Sequence, residues 1–297
     1  MKLFARSMFC ACLALSAFGA ARASDPEWTQ PQKPFRVYGN TYYVGTHGLT
    51  AVLIASSQGL VLIDGTLPQN AAQIEGNIKA LGFRLTDVKR ILNTHAHSDH
   101  AGAIAALAHD TGATVMASAA GAKAIMLGGK DPEDPQFDQS SGFPSVAHVM
   151  TVADGGVVQV GDVAITAHYT PGHTPGSTSW AWQSCEAGRC VHMVYADSLG
   201  AFAADGFRFT DDAAHPHRVE DYQHSIDVIA ALPCDILITP HPSQSRFLER
   251  VAGRDAGAKP NPLIDSGACR VYAEEGRAGL AARLAKEQAA ASGRAAK

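Results

Sequence analysis

Four side chains that can bind a divalent metal ion lie within six residues of this chain, which read His95-Ala96-His97-Ser98-Asp99-His100. They directly follow a run of strand-forming residues at 88–92. Burying several imidazoles and a carboxylate side by side is costly unless a cation or hydrogen bonds compensate them. We therefore expect the fold to bring this segment to a crevice at the end of a strand, where a metal ion can bind.

Two more histidines stand in similar positions, each in a proline-containing turn after a strand-like run. His173 lies in the sequence TPGHTPG at 170–176, and His241 lies in TPHP at 239–242. Rigid turns of this kind can hold a side chain in one direction. Five histidines and one aspartate suffice for two sites of three protein ligands each. Incomplete sets of nitrogen and oxygen ligands are typical of catalytic zinc, whereas structural zinc sites are closed and usually rich in cysteine.

The rest of the pattern predicts an α/β protein. Strand-like runs occur in hairpin pairs, as at 50–54 and 60–63, and segments of helical periodicity punctuate each half of the chain. This order favours two sheets packed face to face with helices outside, a four-layer αββα sandwich in a single domain. Residues 128–146 are irregular and contain three prolines. We expect them to form a long surface loop, a kind of segment that is often functional.

The first 23 residues are typical of a secretory signal peptide. Lys2 and Arg6 precede a short apolar run, and Ala21-Arg22-Ala23 is a cleavage signal of the small-x-small type. Cleavage after Ala23 would leave residues 24–297 as the mature domain. The sequence therefore predicts a periplasmic or secreted protein.

Four cysteines remain in the predicted mature chain, and in an oxidising compartment an even number indicates disulfides. Four cysteines allow three pairings. The segment between Cys185 and Cys190 is typical of a hairpin turn, which favours this pair. Cys234 and Cys269 would then form the second disulfide, and free buried thiols are the alternative.

The charge of the chain argues against several classes of partner. The formal net charge is −4, and the predicted leader holds three basic residues and no acidic one, so residues 24–297 carry −7. Nucleic acids and anionic membrane surfaces require concentrated positive charge, which this chain lacks. The sequence also has no apolar run of the roughly 18 residues that a membrane-spanning helix needs. We expect a monomer whose partner is a small molecule, with no nucleic acid and no membrane in the mature form.

The motifs HAHSDH, GHTPGS, YADSL, LPCD and TPHP, in this order, resemble those of the metallo-β-lactamase superfamily. The first motif alone marks only the superfamily, whereas its combination with YADSL and with LPCD before TPHP resembles subclass B3. The resemblance implies an αββα fold with two zinc ions per chain. The first zinc ion would be held by His95, His97 and His173, and the second by Asp99, His100 and His241.

The resemblance also implies roles for residues around the metals. Adjacent strand residues point to opposite faces, so only one of Asp197 and Ser198 can face the metal ions. The subclass pattern favours Ser198 as a residue that positions substrate or water, with Asp197 orienting a ligand histidine. Gly200 departs from the pattern, because several B3 relatives have a hydroxyl residue there that helps to bind the substrate carboxylate. The Cys234–Cys269 pair resembles a disulfide of B3 relatives.

The resulting hypothesis is a β-lactamase that opens the lactam ring of penicillins, cephalosporins and carbapenems. In it, zinc-bound hydroxide attacks the lactam carbonyl, Asp99 orients the hydroxide as well as binding metal, and no acyl-enzyme forms. The sequence contains no Ser-x-x-Lys motif, which the serine enzymes require. A thioester hydrolase or lactonase on the same scaffold is the alternative, since metal and water serve any activated carbonyl. A non-catalytic exported zinc-binding protein is less favoured.

Overall fold

Two β-sheets form the centre of the computed structural model, which describes residues 25–137 and 142–295. The predicted leader at 1–23 lies outside the described residues. The first sheet has seven strands, and its spatial order follows the chain order. These strands are β1 (Phe35–Tyr38), β2 (Thr41–Tyr43), β3 (Val52–Ser56), β4 (Gly59–Ile63), β5 (Val88–Leu92), β6 (Thr114–Ala117) and β7 (Val149–Thr151).

The second sheet has five strands in the order β12-β11-β10-β9-β8. Its strands are β8 (Val157–Val160), β9 (Val163–Tyr169), β10 (Thr178–Glu186), β11 (Arg189–Tyr195) and β12 (Ile236–Ile238). The strands from β8 to β11 pair antiparallel, and β12 joins β11 in parallel. The hairpin of β3 and β4 occurs where the sequence predicts one.

Helices cover the outer faces of both sheets. The α-helices are α1 (Ala71–Ala80), α2 (Ser98–Ala101), α3 (Ile104–Thr111), α4 (Ala119–Met126), α5 (Arg218–Ala231), α6 (Phe247–Asp255) and α7 (Ala268–Ala295). Short 3₁₀ helices occur at Pro26–Trp28, Pro68–Asn70, Leu85–Asp87 and Pro242–Ser245. Within the described ranges, no helix combines the length and apolar character needed to cross a membrane.

Three clusters of buried apolar residues correspond to the three interfaces of a four-layer sandwich. The first joins the inner faces of the two sheets and includes Ile54 and Trp180, which are both fully buried. The second packs α1, α3 and α4 on the first sheet and includes Ile78 of α1 and Leu62 of β4. The third packs α5 and α7 on the second sheet. The predicted αββα architecture is therefore confirmed.

The strand directions bring several loops to one edge of the sandwich. Strands β9, β11 and β12 run in the same direction, so their carboxyl ends meet at this edge. The segment after β5 reaches the same place, because the Trp180 indole N–H donates to the Asn93 carbonyl oxygen at 3.1 Å. The Thr178 amide also donates to the Thr94 carbonyl oxygen at 2.8 Å. The histidine motifs of the sequence follow β5, β9 and β12, and Asp197 and Ser198 follow β11.

Both predicted disulfides are present. Cys185 and Cys190 face each other across the β10–β11 hairpin. Cys234 and Cys269 join the segment before β12 to the first turn of α7.

Candidate metal centre

The loop from β5 to α3 presents the first four polar side chains of the site. His95 and His97 lie between the end of β5 and α2, and Asp99 and His100 lie within α2. His97 directly precedes α2 in an extended conformation, and its carbonyl oxygen accepts the amide hydrogens of His100 and Ala101. This single helical turn places Asp99 and His100 close to His95, which is only 1% exposed.

His173 comes to the same point from the turn between β9 and β10. The ligand atoms of His95, His97 and His173 lie within 4.8 Å of one another, and those of His95, Asp99 and His100 meet the same limit. The rings of His95 and His97 are nearly perpendicular, with centroids 4.7 Å apart. Two overlapping sets of three potential ligands therefore share His95.

His241 completes the group from the turn after β12. Its Nε2 lies 3.4 Å from the Asp99 Oδ2, which in turn lies 3.2 Å from the His100 Nε2. The His100 and His241 rings stand perpendicular with centroids 4.9 Å apart. The structure thus brings together all six residues that the sequence analysis proposes as metal ligands.

A second set of groups holds the first three imidazoles by the nitrogen that faces away from the cluster. His95 Nδ1 lies 2.7 Å from the Asp197 Oδ1, and His173 Nδ1 lies 2.7 Å from the Gly200 carbonyl oxygen. An imidazole N–H that donates in this way fixes the tautomer, which leaves the other nitrogen free to bind a metal ion. Asp197 therefore occupies the orienting position that the sequence analysis favours for it.

His97 has a comparable partner that the sequence did not reveal. Its Nε2 lies 2.8 Å from the Asp134 Oδ2, on the long loop that follows α4. Asp134 is buried, and its other oxygen accepts the Gln136 amide hydrogen at 2.7 Å. The loop predicted at 128–146 thus contributes directly to the centre. No spacing in the sequence relates Asp134 to the histidine motif, so only the fold identifies it.

Ser198 directly follows Asp197, and the structure shows no hydrogen bond between its side chain and the predicted metal ligands. Its side chain is buried, and its Oγ lies 3.4 Å from the Gln244 Nε2 in the 3₁₀ helix after His241. The Tyr272 hydroxyl donates to the Asp197 carbonyl oxygen and accepts the Leu199 amide hydrogen at 3.1 Å. The segment that carries Ser198 is therefore anchored to α7.

The electrostatic surroundings keep two of the imidazoles neutral. Burial, together with repulsion from His100 and His97, holds the pKa of His95 well below its usual value. Burial and the neighbouring His95 and His97 lower the pKa of His173 to about 3. Neutral imidazole is the form that binds metal ions.

The pKa values of Asp99, His97 and His100 are shifted by burial and by the charges of their neighbours. Burial raises the pKa of Asp99, but the charges and hydrogen bonds of His100 and His241 outweigh it and hold that pKa well below its usual value. Burial lowers the pKa of His97 and of His100, yet Asp134 and Asp99 respectively raise both above the usual value. A metal ion that binds these imidazoles would therefore displace protons.

An unpaired buried nitrogen provides a direct test of whether the site suits a metal ion. His95 Nε2, the ring nitrogen that does not contact Asp197, is buried and has no hydrogen-bond partner among the described residues. A buried polar atom without a partner costs about 1–3 kcal/mol. With nitrogen and carboxylate donors, neutral imidazoles and orienting partners on the far side, the cluster fits a divalent ion of the zinc type.

Asp134 offers a prediction that depends on this geometry. We expect Asp134→Ala to weaken zinc binding by about 10–100-fold, because the His97 ring would lose the group that orients it. Competition with a chromophoric chelator measures this affinity. Asp134→Asn, which can keep an acceptor in the loop turn, should lose less.

Asp110→Ala is the matched control for Asp134, since Asp110 also lies 2.7 Å from an imidazole nitrogen but on the exposed His109. It should bind zinc as the parent does. Equal zinc affinity for Asp134→Ala and the parent would show that Asp134 does not position His97.

Comparison with known proteins gives a consistent family assignment. The model of the family described as "Metallo-beta-lactamase superfamily" matches residues 44–241. Among solved structures, MEM-A1, a subclass B3 metallo-β-lactamase from a soil metagenome library, is 50% identical with a TM-score of 0.85. The match covers 88% of this chain and 99% of MEM-A1. MIM-1 from Novosphingobium pentaromativorans, another metallo-β-lactamase, is 42% identical with a TM-score of 0.83, over 89% of this chain and 94% of MIM-1.

Curated sequences show more distant similarities. A hydroxyacylglutathione hydrolase from Maricaulis maris is 31% identical over 147 residues, which cover 49% of this chain but only 44% of that protein. A hydroxyacylglutathione hydrolase from Anaeromyxobacter dehalogenans is 26% identical over 81% of this chain and 87% of its own length. The first of these matches spans less than half of the curated relative.

Proposed function

This chain belongs to the metallo-β-lactamase superfamily, and from that membership we propose that it hydrolyses the lactam ring of β-lactam antibiotics. The observation that carries the proposal is the similarity to B3 metallo-β-lactamases, which reaches 50% identity and covers 99% of MEM-A1. The hydroxyacylglutathione hydrolases share less sequence over a smaller part of this chain, with 31% identity over 49% of it and 26% over 81%. Penicillins, cephalosporins and carbapenems are the proposed substrates.

Two groups of ligands are proposed to hold two zinc ions per chain. The first ion would be bound by His95, His97 and His173, and the second by Asp99, His100 and His241. When bound, such ions lower the pKa of water to about 7 and polarise a carbonyl group. No part of this chemistry requires a protein nucleophile, so we propose hydrolysis without an acyl-enzyme.

The chain's own residues prepare this reaction. Asp197 and the Gly200 carbonyl oxygen, each 2.7 Å from a ring nitrogen, keep the His95 and His173 imidazoles in fixed tautomers. Asp99 stays ionised because its pKa is low, so its carboxylate can bind metal and accept a hydrogen bond from the attacking water. Ser198 is proposed to help position the substrate. Gly200 has no side-chain hydroxyl group that could donate a hydrogen bond to the substrate carboxylate.

The location of the protein is part of the proposal. We infer that residues 1–23 direct export and are removed, so that residues 24–297 act in the periplasm or outside the cell as a monomer. The two disulfides are consistent with an oxidising compartment. N-terminal sequencing of the protein purified from the periplasmic fraction tests the cleavage site.

Carbapenem hydrolysis by the purified 24–297 protein tests the proposed function. We expect turnover that is lost after treatment with EDTA and restored by zinc, because the proposed reaction would need a metal ion to activate water. Bound zinc measured in the same samples should fall and recover in parallel.

A substrate panel that also contains an S-acyl glutathione thioester and a lactone distinguishes a β-lactamase from a thioester hydrolase or a lactonase. Hydrolysis of the thioester or lactone, with no turnover of any β-lactam by the zinc-loaded protein, would contradict β-lactamase activity and leave the metal centre intact. Bound zinc without hydrolysis of any panel member would favour the non-catalytic zinc-binding protein.

A further inference from the structure

Phe202 is a large apolar side chain that remains exposed beside the metal centre. It is 62% exposed, although it lies only four residues after Ser198. Its ring stands almost perpendicular to that of His173, with the centroids 6.3 Å apart. Nearby Phe209, in contrast, is fully buried and packs against Tyr222. Phe202 therefore contributes little to the core, and its ring is available to a molecule in the site.

The Phe202 ring lies against the backbone of Gly200. A Cβ atom at Gly200 would lie 2.4 Å from the Phe202 Cε2 and 2.8 Å from its Cδ2, which are distances that real atoms do not adopt. Gly200 is not among the glycines with positive φ, so its backbone conformation does not call for glycine, and a larger residue at 200 would have to push the Phe202 ring aside. The ring thus covers the position from which a side chain at 200 would project.

The Gly200 carbonyl oxygen ties this arrangement to the metal centre. It accepts the Phe202 amide hydrogen at 2.9 Å and also lies 2.7 Å from the His173 Nδ1. The backbone that carries the ring is therefore held to a proposed zinc ligand. Because this backbone is already ordered, the ring can contact a substrate bound at the metals without further ordering of the loop backbone.

We propose that Phe202 determines substrate specificity by forming an apolar wall beside His173 that receives an aromatic or bulky apolar substituent of the substrate. The inference rests on the proposed function, because it assigns the side-chain preference of the same site. Aromatic rings gain both from burial and from edge-to-face contact with another ring. On this side of the site, the structure offers a hydrophobic surface where a hydroxyl group at position 200 would offer a hydrogen bond.

Two penicillins with the same ring system provide the test. Benzylpenicillin carries a phenyl group on its side chain, and 6-aminopenicillanic acid lacks that side chain. We expect Phe202→Ala to raise the KM for benzylpenicillin by about tenfold, as the loss of one buried ring contact implies. The kcat for benzylpenicillin and both constants for 6-aminopenicillanic acid should stay within about twofold, since that range is under about 0.5 kcal/mol.

Binding without turnover gives an independent measure. The inhibition constant of hydrolysed benzylpenicillin should rise by the same factor in Phe202→Ala, while the zinc content stays at the parental value. Phe202→Tyr keeps the aromatic ring and should therefore retain the parental KM for benzylpenicillin. Val157→Ala removes an exposed apolar side chain on β8 and should leave every constant unchanged.

The outcomes separate the two levels of the proposal. An active parent whose Phe202→Ala variant changes KM equally for both penicillins, or for neither, would overturn the role of Phe202 alone. A zinc-loaded parent that opens neither penicillin nor any other β-lactam would instead reject the proposed function, and this inference with it.

Discussion

The His95→Ala variant is expected to lose more than about 99% of β-lactam turnover. Loss of an outer partner of a metal ligand typically costs about 10–100-fold, and loss of the ligand itself should exceed this. His95 is one of the three proposed ligands of the first zinc ion, and its ligand atom also lies within 4.8 Å of those of Asp99 and His100, which are proposed for the second ion, so its removal breaks the first site and alters the surroundings of the second. Steady-state hydrolysis of a carbapenem and zinc content per chain measure the effect.

Folding must be separated from catalysis in this experiment, because the His95 side chain is fully buried. Far-UV circular dichroism of the chelated variant should match that of the chelated parent. His173→Ala provides a second route to the same result, since His173 comes from a different turn. His109→Ala is the matched control, because His109 is 87% exposed and pairs with Asp110 in the way that His95 pairs with Asp197. Parental turnover and zinc content in a folded His95→Ala protein would refute the ligand assignment.

The sequence was sufficient to predict which polar residues assemble, because each motif directly follows a strand. Short turns after β5, β9 and β12 leave little freedom in where His95, His173 and His241 can lie. Asp134 could not be predicted in this way. It lies 37 residues from His97, on a loop whose path depends on packing against the rest of the fold. The contact between Ala204 and Pro135, through a backbone hydrogen bond of 2.7 Å, is one of those that fix this path.

The elements that the sequence did not predict have weak local signals. Strand β7 has only three residues, and none of them is buried, so it shows no inward-facing alternation. Helix α6 follows Arg246, which adopts a left-handed conformation with φ of 50°. Only Phe247 and Val251 of this helix are buried. Such elements form because tertiary contacts stabilise them, and a pattern of apolar residues alone does not reveal them.

Asp64 is a second buried centre of this fold, at the carboxyl end of β4. Its carboxylate accepts hydrogen bonds from the Asn93 side-chain amide and the Thr94 amide at 2.9 and 2.8 Å. It also accepts from the hydroxyl groups of Thr94 and Tyr195, each at 2.8 Å. Burial raises the pKa of Asp64 to about 6, with the charge of His100 opposing the rise. The carboxylate thus joins the ends of β4, β5 and β11, and it contacts Thr94, the residue that precedes His95.

We expect Asp64→Ala to lower the free energy of unfolding by about 4 kcal/mol, because it leaves several buried donors without an acceptor. Urea unfolding of the chelated protein, followed by circular dichroism above the Asp64 pKa, measures this stability without a contribution from bound metal. Asp162→Ala is the matched control. Asp162 also accepts a backbone amide hydrogen, from Ser57 at 2.7 Å, but it is exposed, so its removal should change stability little.

A double-mutant cycle with Tyr195→Phe shows whether the carboxylate acts through the network. Tyr195→Phe alone removes one donor and should cost about 1 kcal/mol. In Asp64→Ala the same change removes a hydroxyl group that has already lost its nearer acceptor and keeps only the Thr50 carbonyl oxygen at 3.3 Å, so the double variant should be less destabilised than the sum of the single variants. Additive losses would mean that the two groups stabilise the fold independently. A stable Asp64→Ala protein would mean that the ends of the three strands are held by the apolar core alone.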